Sequence, residues 1–365
     1  MTNERINKFD EILFWLTLIL SVAGIVAIYS ATRSFGSNTN VIVQTGAFLI
    51  GTVFMIMISK IDYHYFGYMS MPIYLVCVAL LVLVLIVGSA GNWGARSWIR
   101  FGPIGIQPAE ICKIGFAITF SKHLAAVRDR INKPLTLLGL IIHIGIILGL
   151  IMLQPDAGSA MVFCAMFAVM VFTAGLSYKY IIPAVLGIGA FAPISYYFLM
   201  SEYQKRRIQV FFNPELDKLG SGYNVIQSKI AVGSGQLVGK GFLKGTQNQM
   251  GILPTKHTDF IFSVISEEFG FIGAVLVLLV LFLIIARCIK AAQGAKDLFG
   301  RYICIGFAAM FIFHTFENAG MCIGLMPVTG IPLPFVSYGG TSLLTNMLAI
   351  GIILSVTRHS HGTRL

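Results

Sequence analysis

Apolar runs of about the length of a bilayer span alternate with short polar stretches along most of this chain. Ten such runs fall near 12–31, 40–59, 70–89, 107–125, 135–153, 157–175, 178–200, 263–286, 301–326 and 335–357. Each predicts a helix, because lipid offers the backbone no hydrogen-bond partner and only internally bonded structures cross it. The pattern breaks once at length: 201–262 is polar, basic and rich in glycine from Gly220 to Gly251, a composition that predicts only short helices. The expected architecture is an all-α polytopic membrane protein, a single domain over 1–365 with about ten transmembrane helices. A long extracytoplasmic loop lies between helices seven and eight.

Composition agrees. Hydrophobic residues make up 56% of the chain and charged residues 11%, where a soluble domain is roughly a quarter charged. The first run, Ile12 to Ser30, is long enough to span, and Tyr29-Ser30-Ala31 is a poor cleavage site, so no removable signal peptide is expected. Fourteen of the 26 Lys and Arg residues fall on the side of the two termini, against Arg33, Arg96 and Arg100 in the short loops opposite. The positive-inside rule then places both ends in the cytoplasm. The net charge of +11 reads as orientation and contact with anionic headgroups, not as affinity for nucleic acid. The six cysteines form no CxxC pair and sit in or beside apolar runs, so they read as packing residues.

Candidate chemistry gathers at the end opposite the termini. Asp259, in Lys256-His257-Thr258-Asp259-Phe260-Ile261-Phe262, stands just before a helix whose later part, Phe271 to Ala286, carries no charge. It reads either as a solvated loop acid or as a base close to lipid yet wettable. Glu110 and Lys113 lie three apart, on one face of the fourth span. They are either a packing ion pair or a cation at the floor of a cavity, since a mid-bilayer charge costs about 2.5–3.5 kcal/mol. Asp156, in Gln154-Pro155-Asp156, is a helix N-cap or a site acid. Gln204-Lys205-Arg206-Arg207 anchors lipid phosphates or steers an anionic substrate. His314, Glu317 and Asn318 share a face of the ninth span, His143 stands alone in the fifth, and Glu267 and Glu268 suit a helix N-terminus. Gly91 to Gln107 holds Trp93, Arg96 and Trp98. Met326 to Gly340 is uncharged with three prolines, a composition that lines cavities or dips into the protein.

In order, these pieces resemble the SEDS family (shape, elongation, division and sporulation). The resemblance runs through Gly94-Ala95-Arg96-Ser97-Trp98-Ile99, Gln107-Pro108-Ala109-Glu110 with Lys113, and Gln154-Pro155-Asp156. It continues in Gly222-Tyr223-Asn224 with Gln227-Ser228, Gly233-Ser234-Gly235, His257 to Phe262 with Glu267-Glu268-Phe269-Gly270, and Gly330 to Phe335 with Ser337-Tyr338-Gly339-Gly340. Gln236 departs from it, where a further Gly is common. Short termini look more like the elongation branch, RodA, than the division branch, FtsW. The resemblance implies a peptidoglycan glycosyltransferase that polymerises lipid II during wall elongation and cell-shape maintenance. It implies a multi-pass protein of the bacterial cytoplasmic (inner) membrane with its site facing outward, and a class B penicillin-binding protein as partner. It makes Asp259 the essential loop acid, Glu110 and Lys113 the helix ion pair, and Asp156 the acid of the Gln-Pro-Asp turn.

On this reading Asp259 is the catalytic base on the acceptor sugar's hydroxyl, in an inverting transfer between two lipid II molecules. Lys113 or Arg207 stabilises the leaving pyrophosphate. Lys256, His257, Trp98 and Ser337 complete the expected substrate-binding set. No organic cofactor is expected; a divalent cation, Mg or Mn, is compatible. The rival readings are a lipid II flippase or ion-coupled transporter using Glu110, Asp156 and Glu317, a division-specific paralogue, and a non-catalytic scaffold.

Overall fold

The computed structural model describes residues 9–360, apart from 37, 89–96, 102–103, 201 and 218–219. Trp93 and Gly94-Ala95-Arg96 therefore lie outside the described residues. In chain order the helices are α1 (Glu11–Thr32), α2 (Thr39–Lys60), α3 (His64–Tyr68), α4 (Ser70–Val87), α5 (Pro108–Val127), α6 (Pro134–Met152) and α7 (Ala157–Thr173). They continue as α8 (Tyr178–Ile194), α9 (Glu202–Phe212), α10 (Ser221–Ser234), α11 (Thr246–Gln249), α12 (Ile261–Gly294), α13 (Leu298–Ile323) and α14 (Gly340–His359).

Each of the ten expected spans falls on a helix of 17 residues or more. Seven of them (α1, α2, α4, α6, α12, α13 and α14) are long and apolar enough to cross a membrane by length and composition. Of the others, α7 and α8 are shorter apolar helices, and α5 carries Glu110, Lys113 and Lys122 within its 20 residues. The bundle is built around α13 and α14, where 67% and 78% of the spanning window is buried, against 17% in α4 and 22% in α6. Small residues allow the close approaches: a Cβ on Gly351 of α14 would lie 3.0 Å from the Met55 backbone of α2. In lipid, such close packing substitutes for the absent hydrophobic drive between helices. At the rim, α8 is exposed along nearly its whole length.

Two features depart from the sequence reading. Ahead of α5, β1 (Ile99–Phe101) and β2 (Ile104–Ile106) form a small antiparallel hairpin, pairing Ile99 with Ile106 and Phe101 with Ile104. The 201–262 segment is a folded cap, with α10 reaching 14 residues. Ser228 of α10 meets the Ser263 hydroxyl of α12 at 2.6 Å and donates to the Cys322 carbonyl of α13 at 2.7 Å.

The cap is spliced into α12. At Gly270 the helix kinks (φ 67°, ψ −164°), and the cap backbone satisfies the groups this frees. Phe271 and Ile272 N–H donate to the Gln236 and Leu237 carbonyls at 2.7 and 3.1 Å. Lys240 and Gly241 N–H donate to the Glu267 and Glu268 carbonyls at 3.0 and 2.9 Å. An interrupted helix is tolerated where its backbone groups find protein partners. Gln236 sits at φ 50°, the left-handed region that glycine occupies without cost.

Candidate functional site

The uncharged segment between α13 and α14, 326–339, organises the end of the bundle away from the termini. As its composition predicts, it dips into the protein: Ile331, Leu333, Phe335 and Val336 are buried. Its carbonyls accept hydrogen bonds from three sides. Ile331 O accepts from Asn318 Nδ2 at 2.8 Å, Pro332 O lies 3.1 Å from His314 Nδ1, and Ser337 O accepts from Gln44 Nε2 at 3.1 Å. Proline supplies carbonyls with no N–H to satisfy, which suits a strand of chain held by side-chain donors.

Asp259 stands beside this segment. A Cβ built on Gly330 (φ 76°) would lie 3.9 Å from Asp259 Oδ2, so the carboxylate faces the Gly330 backbone. The Asp259 carbonyl accepts from Asn318 Nδ2 at 2.8 Å, and one amide nitrogen thereby ties the acid's backbone and Ile331 together. Asp259 is half-buried. Burial pushes its carboxyl up to about 6, opposed by the Arg207 guanidinium and a hydrogen bond from Thr258. It is therefore poised near neutrality, as a general base requires. Arg207 projects from α9 and lines a small cavity with Val210, Phe211, Val225, Met326 and Val328. The neighbouring His257 packs its ring 5.4 Å from that of Tyr338, and its carbonyl accepts the Tyr338 N–H at 2.9 Å. Burial, reinforced by Lys256, holds its imidazole down at about 4, so it stays neutral.

Lys113 does not form an open cationic floor. Its ammonium is 1% exposed, donates to Glu110 Oε1 at 2.7 Å and sits 3.0 Å from His314 Nε2. With Nδ1 donating to the Pro332 carbonyl, His314 presents a lone pair to that ammonium. The helix pair is thus a buried, neutralised unit that positions the Pro332 strand. A mid-membrane charge is tolerated only with such compensation.

Several other expected binding residues are structural. Asp156 caps α7: its oxygens accept from Ser159 N (3.0 Å), Ser159 Oγ (2.9 Å) and Gln107 Nε2 (3.0 Å). Ser337 Oγ accepts the Leu333 N–H at 2.8 Å and closes its own turn. Lys256 is buried, with its ammonium on Ser34 Oγ (2.8 Å) and the Asn248 carbonyl; burial lowers it to about 8 despite Glu267 and Glu268. Trp98 covers Gly105 across the hairpin, where a Cβ would lie 2.9 Å from its ring. Glu267 and Glu268 lie past the first turn of α12, not at its N-terminus. Both are buried: Glu267 accepts from Lys240 Nζ (2.8 Å) and the Gln247 and Asn248 N–H groups, and Glu268 from Ser30 Oγ and Asn248 Nδ2. Together they pin the cap to α1. His143 is not alone, since its Nδ1 lies 3.1 Å from His123 Nδ1.

The sequence reading missed Gln44, buried within α2, which accepts the Gly339 N–H at 3.0 Å while donating to Ser337 O. An uncharged amide inside an apolar span was the available signal. Among the described residues no three His, Cys, Asp or Glu side chains stand close enough to hold a metal ion.

Comparison with known proteins bears on this arrangement as a whole. Residues 11–362 match the FtsW, RodA and SpoVE family, described as cell cycle proteins. The peptidoglycan glycosyltransferase MrdB of Escherichia coli K12 is 36% identical over 96% of this chain and 94% of its own length. Stage V sporulation protein E of Bacillus subtilis is 37% identical over 99% of this chain and all of its own. A probable peptidoglycan glycosyltransferase FtsW of Trichlorobacter lovleyi is 36% identical over 97% and 94%. Among solved structures, a chain of a peptidoglycan synthase complex, described for its coordination of polymerization and crosslinking, superposes with a TM-score of 0.86 at 29% identity. The match covers 97% of this chain and 99% of that one. The Thermus thermophilus rod shape determining protein RodA gives 0.71 at 29% identity, over 96% and 97%.

Proposed function

The chain belongs to the FtsW, RodA and SpoVE family of cell cycle proteins and is a peptidoglycan glycosyltransferase, and from that premise we propose that Asp259 is its general base. The observation that carries the assignment is the pairing of a half-buried carboxyl, pushed up to about 6, with the cationic Arg207 beside the 326–339 strand. The substrate is lipid II: a disaccharide peptide on a polyprenyl pyrophosphate, used as both donor and acceptor. Asp259 takes the proton from the acceptor sugar's hydroxyl as that oxygen bonds the donor's anomeric carbon. The anomeric carbon–phosphate oxygen bond breaks with inversion, and the electron pair leaves on the pyrophosphate. Arg207 receives the developing charge. Lys113, acting through His314 and Pro332, holds the strand in register and does not touch the leaving group.

A divalent cation would be held on the protein side by Asp259 and would supply charge stabilisation for the leaving pyrophosphate; the described residues provide no three-ligand cluster. The site faces outward, supported by the excess of Lys and Arg on the opposite side, and both termini lie in the cytoplasm of a cell bounded by this inner membrane. The partner is a class B penicillin-binding protein, a reading supported by the fold shared with the synthase-complex chain. Elongation and shape maintenance are the cellular role. The division-type reading keeps a specific foothold, because the FtsW relative matches at the same 36% identity as MrdB. The test is purified protein in lipid with lipid II as sole substrate, with and without chelator. Asp259→Asn is expected to accumulate at wild-type level, keep its melting temperature and make no glycan. Wild-type polymerisation by that variant removes the assignment.

A further inference from the structure

At the Lys- and Arg-rich end, far from the site above, α3, the last turns of α5 and the start of α13 enclose a cleft. It has a volume of about 480 Å³ and is lined by His64, Tyr68, Lys122, Asp297, Leu298 and Phe299. Its charges are unequally satisfied. Asp297 is engaged three times: Oδ1 accepts the Gly300 N–H at 2.7 Å, capping α13, while Oδ2 accepts from Tyr63 OH at 2.8 Å and His64 Nε2 at 2.6 Å. The other nitrogen of His64 lies 2.7 Å from Asp62 Oδ1. Both carboxylates of the cluster are thus occupied.

Lys122 has no such partner. No carboxylate lies within 4.0 Å of its ammonium among the described residues; the nitrogen instead stands 5.9 Å from the Tyr68 ring centroid and 5.7 Å from that of Phe299. Two aromatic faces hold the cation at the mouth of the cleft without neutralising it. Next to Tyr68 along α3 and the start of α4, Tyr65, Met69 and Met71 are, like Tyr68 itself, 56–79% exposed, an apolar apron of the residue types found at membrane interfaces. A cation against Tyr68, with exposed apolar residues adjoining Tyr68, matches a phosphoryl group carrying acyl chains.

We propose that this cleft holds the phosphate of an anionic phospholipid from the leaflet on the Lys- and Arg-rich side, with Lys122 as counter-ion and the apron beneath its chains. A free phosphate would share the contact to Lys122 but gain nothing from the apron.

The test is lipid retention on the full-length protein, purified in detergent with dioleoyl phosphatidylglycerol or dioleoyl phosphatidylcholine and read by native mass spectrometry. Wild-type protein is expected to keep phosphatidylglycerol in preference to phosphatidylcholine. Lys122→Met, which keeps the stem and removes the charge, should retain about fivefold less, the weight of one basic residue at a membrane surface. Lys122→Arg should retain it fully, as should Lys133→Met, which removes an exposed charge outside the cleft. Inorganic phosphate or pyrophosphate should not displace the lipid. Equal retention by Lys122→Met, equal loss in Lys133→Met, or displacement by inorganic phosphate overturns the proposal. Should Lys122→Met fail to accumulate, Tyr68→Ala removes one wall of the mouth and is held to the same fivefold loss.

Discussion

The placement of Asp259 makes a quantitative statement about pH. A solvent-exposed aspartate titrates near 3.9 and would be almost wholly ionised at pH 5, so a loop acid of that kind gives a flat rate profile from pH 5 to 7. Burial holds Asp259 at about 6 instead. Because the shift is upward and the base form is the reactive one, activity is present above the folded value and lost as pH falls through it. About nine-tenths of the carboxyl is ionised at pH 7 and about one-tenth at pH 5, so kcat/KM for glycan synthesis should fall nearly tenfold between them. The Arg207 charge opposes the upward shift, so Arg207→Gln should move the midpoint to higher pH in addition to slowing the reaction. The assay is initial rates of lipid II polymerisation by reconstituted protein from pH 5 to 8, with melting temperature followed in the same buffers to separate titration from unfolding. A flat profile, or a midpoint that moves down in Arg207→Gln, refutes the reasoning.

Other consequences follow from the buried network and the clamp. Glu268→Ala removes the acceptor of the buried Ser30 hydroxyl and one of the two acceptors of the Asn248 amide, and should destabilise the protein by about 3 kcal/mol, seen as a lowered melting temperature in detergent. Asn318→Leu cuts the tie between Asp259 and Ile331. Loosening a reacting group by about an ångström costs on the order of a hundredfold in rate, so turnover measured well below the melting transition should collapse while the lipid II KM changes little; the melting temperature should also fall, because two buried carbonyls lose their donor. An unchanged turnover would show that the acid is held by something else. Gln236→Gly relieves a left-handed residue at φ 50° and should raise stability by about 1 kcal/mol, with polymerisation unaltered.

The spans and the position of a charged loop residue beside one of them were legible in the sequence for a simple reason. Lipid forces every crossing segment to be apolar and helical, so its boundaries are written in composition, and a charge near such a segment stands out against the background. What could not be read was partnership. The pairing of Lys113 with Glu110 follows from their spacing, yet nothing along the chain announces that α13 folds His314 against the same ammonium. Ser337, Lys256 and Asp156 carry polar groups suited to a substrate, and each turns inward to a backbone or side-chain partner. The cap between α8 and α12 is polar and glycine-rich, features of a solvated loop, but its carbonyls and N–H groups fill the break at Gly270. These outcomes depend on which donor meets which acceptor, from four residues apart for Leu333 and Ser337 to more than two hundred for Ser30 and Glu268. Only packing decides that, because a buried polar group is stable with whichever partner the fold brings within reach, and one-dimensional order does not specify the partner.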